Sequence, residues 1–146
     1  MSFLPRRTIV VPVDFSDYSE PAVRVALELA AAPGDIHVVH VIPSLNPVSP
    51  RAIWGEGDVQ QKLTDNASRY LETWLATHNL QGVQSQVVVG AEGTKIVELA
   101  DGLEADLIVI SSHGNSGLTR AVMGAVAERV TRYASCPTLV LRRPKA

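Results

Sequence analysis

The 146-residue chain carries one cysteine, Cys136. A lone thiol closes no intrachain disulfide, which fits a reducing compartment. Cys136 precedes Pro137 and an apolar run, the setting of a small buried hydrophobe rather than of a reactive thiol. Charge of one sign is not in surplus: 13 Lys and Arg face 15 Asp and Glu, for a net charge of −2. A dedicated nucleic-acid binder would carry a basic face, so nucleic acid is set aside as a partner. No uninterrupted apolar stretch reaches the roughly 18 residues of a membrane span, so no membrane partner is expected either. The first residues, Met1 to Arg7, have neither the apolar segment nor the small-residue cleavage site of a secretory leader. The expected location is therefore the cytoplasm. Aromatics are only 5% of the chain, and Trp54 and Trp74 lie too far apart to suggest a base-stacking platform.

Enzyme signatures are scarce too. There is no G-x-x-x-x-G-K-[ST] loop, no G-x-S-x-G elbow, and no G-x-G-x-x-G after the first strand-like run. The histidines His37, His40, His78 and His113 have no zinc-ligand spacing, and Cys136 has no second cysteine, so no metal site is expected.

What the chain does have is 46% apolar residues in two alternating patterns. Short β-branched runs at residues 8–13, 36–42, 83–89, 107–110 and 138–141 suit strands buried on both faces. Between them, helical spacing extends from Pro21 to Pro33-Gly34 and over residues 59–78, 94–103 and 118–134. Residues 43–57 are rich in Pro, Ser and Gly and predict a loop, long enough to be functional. The pattern predicts an α/β fold: a doubly wound five-stranded parallel sheet flanked by four helices, in one domain over residues 1–146. In such sheets ligands bind beyond the carboxyl ends of the strands, where the strand order reverses. That rule singles out the loops after Val13, Val41 and Ile110.

The loop after Ile110 reads Ser111-Ser112-His113-Gly114-Asn115-Ser116-Gly117. Gly114 and Gly117 permit positive φ and a close approach of ligand to backbone. The helix that follows would offer unpaired N–H groups and the positive end of its dipole. Together these make an anion site, although the same glycines also suit a plain tight turn. Asp14, at the end of the first strand, could accept from an amine or a ribose hydroxyl. It could equally cap the next helix. His113 could contact a phosphate or orient the loop, but no nucleophile that it would activate stands out.

These segments resemble the universal stress protein family. Val10-Val11-Pro12-Val13-Asp14-Phe15-Ser16 resembles its opening strand and turn, and His40-Val41 its H-V step. Residues 105–114 resemble its A-D-L-I-V-x-G-S-H-G, residues 124–130 its G-S-V-A-E-R-V, and residues 136–141 its C-P-V-L-V-V. The resemblance implies an adenine-nucleotide site for ATP, AMP or ADP, with or without Mg²⁺. It would place Pro12, Val13, Asp14 and Val41 around the base, Val41 acting through its backbone. Ser111, His113, Gly114, Asn115, Ser116, Gly117, Gly124, Ala125 and Val126 would lie along the ribose and phosphates, with Arg120 as a further contact. The ATP-binding branch carries G-x2-G-x9-G-[ST]; here that segment is Ser111-x2-Gly114-x9-Gly124-Ala125. Ser111 adds a side chain near the ribose position. Ala125 lacks a phosphate-facing hydroxyl, a loss of about 1.5–3 kcal/mol for a bond to a charged group. The resemblance further implies a homodimer through the last strand, Thr138–Leu141, whose open edge a two-fold partner would cover.

Three functions compete at this point. One is a nucleotide-binding regulator of the stress response. The second is a dimeric interaction protein of the same fold that binds no nucleotide. The third is a nucleotide-processing enzyme, for which no catalytic base or Mg²⁺-binding carboxylate cluster stands near the loop.

Overall fold

The computed structural model describes residues 2–45, 57–114 and 123–142. The β-branched runs become five strands: β1 (Ile9–Pro12), β2 (Ile36–Ile42), β3 (Gln84–Val89), β4 (Leu107–Ser111) and β5 (Thr138–Leu141). The helices are α1 (Ser19–Leu29), α2 (Gly57–Thr77), α3 (Glu92–Gly102) and α4 (Ala125–Tyr133). All paired strands run parallel, in the order β3-β2-β1-β4-β5. This is the doubly wound α/β sheet with four helices that the alternating pattern predicts.

Alternation along the strands divides the core in two. Ile9, Val11, Ile36, Val38, Leu107 and Val109 face α1 and α2, meeting Val23, Ala26, Leu71 and Trp74. Val10, Val39, Ile108 and Ile110 face α3 and α4, meeting Ile96, Ala100, Ala127 and Val130. The central strands β1 and β4 are therefore buried on both sides, which is why their sequences are unbroken apolar runs. The outer strand β3 begins with exposed Gln84, Ser85 and Gln86. Among the described residues no helix is long and apolar enough to cross a membrane.

Two boundaries differ from the sequence expectation in ways that matter for the site. Residues 90–93 read as a turn, yet α3 starts at Glu92 and carries Gly93 within its first turn. Packing favours glycine there: a Cβ on Gly93 would stand 2.9 Å from Cδ of Arg129 on α4, so that side chain would have to shift. The last helix was expected from residue 118, running through Gly124; residues 118–122 of that span lie outside the described residues. Instead Gly124 is extended, at φ −63° and ψ 153°, and α4 begins at Ala125. The Gly124 N–H donates to the Ser112 carbonyl at 2.7 Å, so the chain is tied to the exit of β4 rather than to a preceding helical turn. A glycine inside a helix costs about 1 kcal/mol relative to alanine, so ending the helix there is favoured locally as well.

Candidate functional site

Strand order reverses between β1 and β4, since the chain leaves β1 toward β2 on one side and reaches β4 on the other. A cavity of about 480 Å³ opens at the carboxyl ends of these two strands. Its volume suits a small-molecule ligand. One wall is Pro12, Val13 and Asp14 as the chain leaves β1; the other is Ser111, His113 and Gly114 as it leaves β4. Gly124, Ala125 and Val126 close it from the start of α4. The cavity thus gathers nine of the expected residues. Asn115, Ser116 and Gly117, with Arg120, lie outside the described residues.

Each wall is held by its own hydrogen bonds. Asp14 Oδ1 accepts from the Ser16 N–H and from the Ser19 hydroxyl, both at 3.0 Å. This is an Asx-turn ahead of α1; Asp14 does not cap the helix, whose N-cap is Tyr18 with no side-chain cap bond. Its Oδ2 points across the cavity mouth to Gly114, where a Cβ would come within 1.9 Å of it. Gly114 is therefore needed for close approach to a carboxylate, and its φ lies outside the left-handed region that the sequence reading allowed it. Phe15, next along, is left-handed at φ 64°. That backbone is costly for a bulky residue. Its ring is held between His40, at 4.5 Å, and Tyr70, at 4.7 Å, with Trp74 at 5.7 Å.

His40 lies within β2, and its Nδ1–H donates to the Val13 carbonyl at 2.8 Å. A carbonyl only accepts, so this contact fixes the proton on Nδ1. Val41 does not line the cavity; its side chain packs against the α3–α4 half of the core. Its peptide groups point elsewhere. The Val39 carbonyl accepts from Val13 on the β1 side, and the Ile42 carbonyl from Gly90 on the β3 side. Alternation turns the Val41 N–H and C=O toward the β1 side, past the point where β1 has ended.

On the β4 wall, Ser112 is fully buried and makes three bonds. Its N–H donates to the Leu141 carbonyl at 2.8 Å, its carbonyl accepts from Gly124, and its hydroxyl meets His113 Nδ1 at 2.8 Å. The side chain of Ser111 does not project as an obstacle. Its hydroxyl donates to the His113 carbonyl and accepts from the His113 N–H at 3.3 Å, closing the turn on itself. His113 is buried, and its Nε2 has no partner among the described residues. No side chain caps α4 at Gly124, and the N–H groups of Ala125, Val126 and Ala127 belong to the helical turn that has no internal acceptors. All three residues line the cavity.

Sequence reasoning missed Glu92, which also lines the cavity. Burial raises the pKa of its carboxyl above the ordinary value of 4.5. The nearby Asp14 carboxylate adds to the rise, and His40 opposes it. Its presence follows from topology: α3 must cross from the edge strand β3 back to β4, and it packs over β2 and β1 on the way. Its first turn therefore arrives above the end of β1. The readable signal was a helix leaving an edge strand, not a motif. Among the described residues no group of three His, Cys, Asp or Glu is placed to hold a metal ion. Cys136, expected as a buried hydrophobe, is half-buried; that burial pushes its thiol up, with Asp101 the next contributor.

The described geometry has counterparts in known proteins. The sequence profile of the universal stress protein family matches residues 5–142. A universal stress protein of Methanocaldococcus jannaschii, MJ0531, is 33% identical over 145 residues, covering 95% of this chain and 84% of that one. The solved structure of a second protein of that organism, MJ0577, superposes with a TM-score of 0.75 at 25% identity, covering 98% of this chain and 100% of that one. A universal stress protein of Archaeoglobus fulgidus, solved in complex with dAMP, superposes with a TM-score of 0.60 at 24% identity, covering 95% and 100%. Sequence and fold agree over nearly the whole length, and the chain belongs to the universal stress protein family.

Proposed function

We propose that the protein is a cytoplasmic regulator that binds an adenine nucleotide, in one domain over residues 1–146, and acts through the bound state rather than by turnover. The observation that carries this reading is the cavity at the β1–β4 switch point, into which the start of α4 opens. In this arrangement the first N–H groups of α4 receive phosphate, Gly114 admits the backbone close to the ligand, and the β1-facing peptide groups of Val41 and Asp14 Oδ2 meet the base or ribose. Asp14 then serves two ends, since Oδ1 stays in the turn. The dAMP complex of the Archaeoglobus fulgidus relative supports an adenine ligand for this fold. ATP, AMP and ADP all present the adenosine that these groups would recognise. Where Mg²⁺ accompanies the nucleotide, Asp14 and Glu92 are the lining carboxylates available to it. Dimerisation is assigned to β5, an edge strand whose Leu139 is 37% exposed.

Protein purified without added nucleotide and then denatured is expected to release an adenine-absorbing compound, or failing that to bind AMP or ATP by calorimetry. Absence of both at millimolar ligand sinks the reading. The second reading, an interaction protein of the same fold without nucleotide, is favoured by Ala125, which gives the first turn of α4 no hydroxyl for a phosphate.

A further inference from the structure

We propose that His40 is a positioning residue that ends the β1–β2 ladder and so leaves the Val41 peptide open to the ligand. This rests on the adenine-nucleotide reading above, in which that peptide meets the base or ribose, and adds what keeps it available.

The β1–β2 register runs from Ile9 opposite Ile36 to Pro12 opposite Val39. One further bond follows, from the Val13 N–H to the Val39 carbonyl at 2.8 Å. In a parallel ladder the bonds are evenly spaced, and a residue that donates to one partner accepts from the residue two further along. The next bond in this series would therefore run from the Val41 N–H to the Val13 carbonyl. It is not formed. The register stops at Pro12 and Val39, and among the described residues no backbone bond joins Val13 to Val41. The Val13 carbonyl accepts from Nδ1 of His40 instead, at 2.8 Å.

The same imidazole lies 4.5 Å from the ring of Phe15, the residue at which the chain turns left-handed, at φ 64°. One side chain thus holds the carbonyl before Asp14 and the ring after it. The Asp14 N–H is held separately, donating to the Ser19 hydroxyl at 3.0 Å. Val13 is buried, and a buried carbonyl is costly to leave without a donor. Deprived of the imidazole, it would draw the nearest donor on the β1-facing edge of β2, which is the Val41 N–H. The ladder would lengthen by one bond, and the N–H offered to the ligand would be lost inside the sheet.

Two substitutions separate the parts of the imidazole. His40→Asn keeps an N–H donor at the place of Nδ1 and removes the ring; His40→Phe keeps a ring against Phe15 and removes the donor. Amide exchange followed by NMR in the ligand-free proteins reads the ladder directly. In the wild type the Val41 amide is expected to exchange about tenfold faster, or more, than the amide of Val39, which lies within the register. His40→Phe should slow Val41 by about tenfold, while His40→Asn leaves it fast. Calorimetry with adenosine reads the consequence. His40→Phe should bind about tenfold more weakly, and His40→Asn within about twofold of the wild type. A purely structural role would speed exchange in both variants, and that result overturns the proposal. A Val41 amide already protected in the wild type also overturns it, as does an Asn variant that behaves like the Phe variant. If the exchange pattern holds but the wild type binds no adenosine, the adenine-nucleotide reading has failed and takes the ligand half of this proposal with it.

Discussion

The two ends of the sheet are built from the same strands and do opposite things. At the amino end, the chain before β1 is knitted to the rest. Asp106, just before β4, accepts from the Arg7 N–H at 3.0 Å and the Thr8 N–H at 3.2 Å, and its own N–H donates to the Thr8 carbonyl at 2.9 Å. Arg6 adds a bond to the Asp106 carbonyl at 3.1 Å and backbone bonds to Leu29 and Ala31. The two strands are stapled together there. At the carboxyl end β1 and β4 part, and the polar groups that leave them line a cavity instead of pairing across it. The difference teaches where this fold keeps its stability and where its freedom to bind.

Breaking the comparison most strongly should take a side chain on Gly114. Gly114→Val would drive Asp14 from its place, since even a Cβ meets its Oδ2 at 1.9 Å. Ligand affinity is expected to fall at least a hundredfold, about 2.7 kcal/mol, with a small change in melting temperature because the loop lies outside both core clusters. Calorimetry beside thermal melts checks this; unchanged affinity would remove Gly114 from the site. The mirror experiment is Asp106→Ala. It leaves two backbone N–H groups without their charged acceptor and should cost about 2 kcal/mol of stability. Ligand affinity should hold in the folded protein. A urea titration reads the loss, and a matching drop in affinity would show that the two ends are coupled.

The core was legible in the sequence and the site only partly so, while the ties of Asp106 to Arg6, Arg7 and Thr8 were not read from it at all. Leu107 to Ile110 are all buried, so an unbroken apolar run could mean little else. Asp14, Gly114 and Gly124 stood out because strand ends and glycines mark where a backbone turns. Glu92 did not, because what brings it over β1 is the crossing of α3, a property of strand order rather than of any local residue pattern. Ser111 was legible as a departure from the family pattern but not in its effect. Whether a hydroxyl intrudes or folds back depends on a rotamer, and here it closes the turn on His113. The break at Gly124 was missed because residues 118–134 hold helical periodicity throughout, and the tie from Gly124 to Ser112, just ahead of α4, is tertiary.

A gentler change sharpens the comparison at the carboxyl end. Ala125→Ser puts a hydroxyl at the first position of α4. It should tighten phosphate-bearing ligands by about tenfold, the worth of one bond to a charged group, and leave adenosine unaffected. Equal effects on adenosine and AMP would mean that phosphate does not reach α4.

The smallest effect concerns stability at the carboxyl end itself. The folded state raises the pKa of Glu92 above its ordinary 4.5, chiefly by burial and next by Asp14. A raised acid contributes its stability below the unfolded pKa and loses it as pH climbs through the folded value. At neutral pH the wild type therefore carries a penalty that Glu92→Gln lacks, set against whatever the ionised carboxylate gains at the start of α3. Because the carboxyl is only partly buried, solvent screening keeps the difference below about 1 kcal/mol. Urea unfolding of both proteins should show the variant gaining stability relative to wild type between about pH 4 and pH 8, through the window just above 4.5. A difference that stays flat across that range would mean that Asp14 and the cavity walls leave Glu92 as solvated as a surface carboxyl.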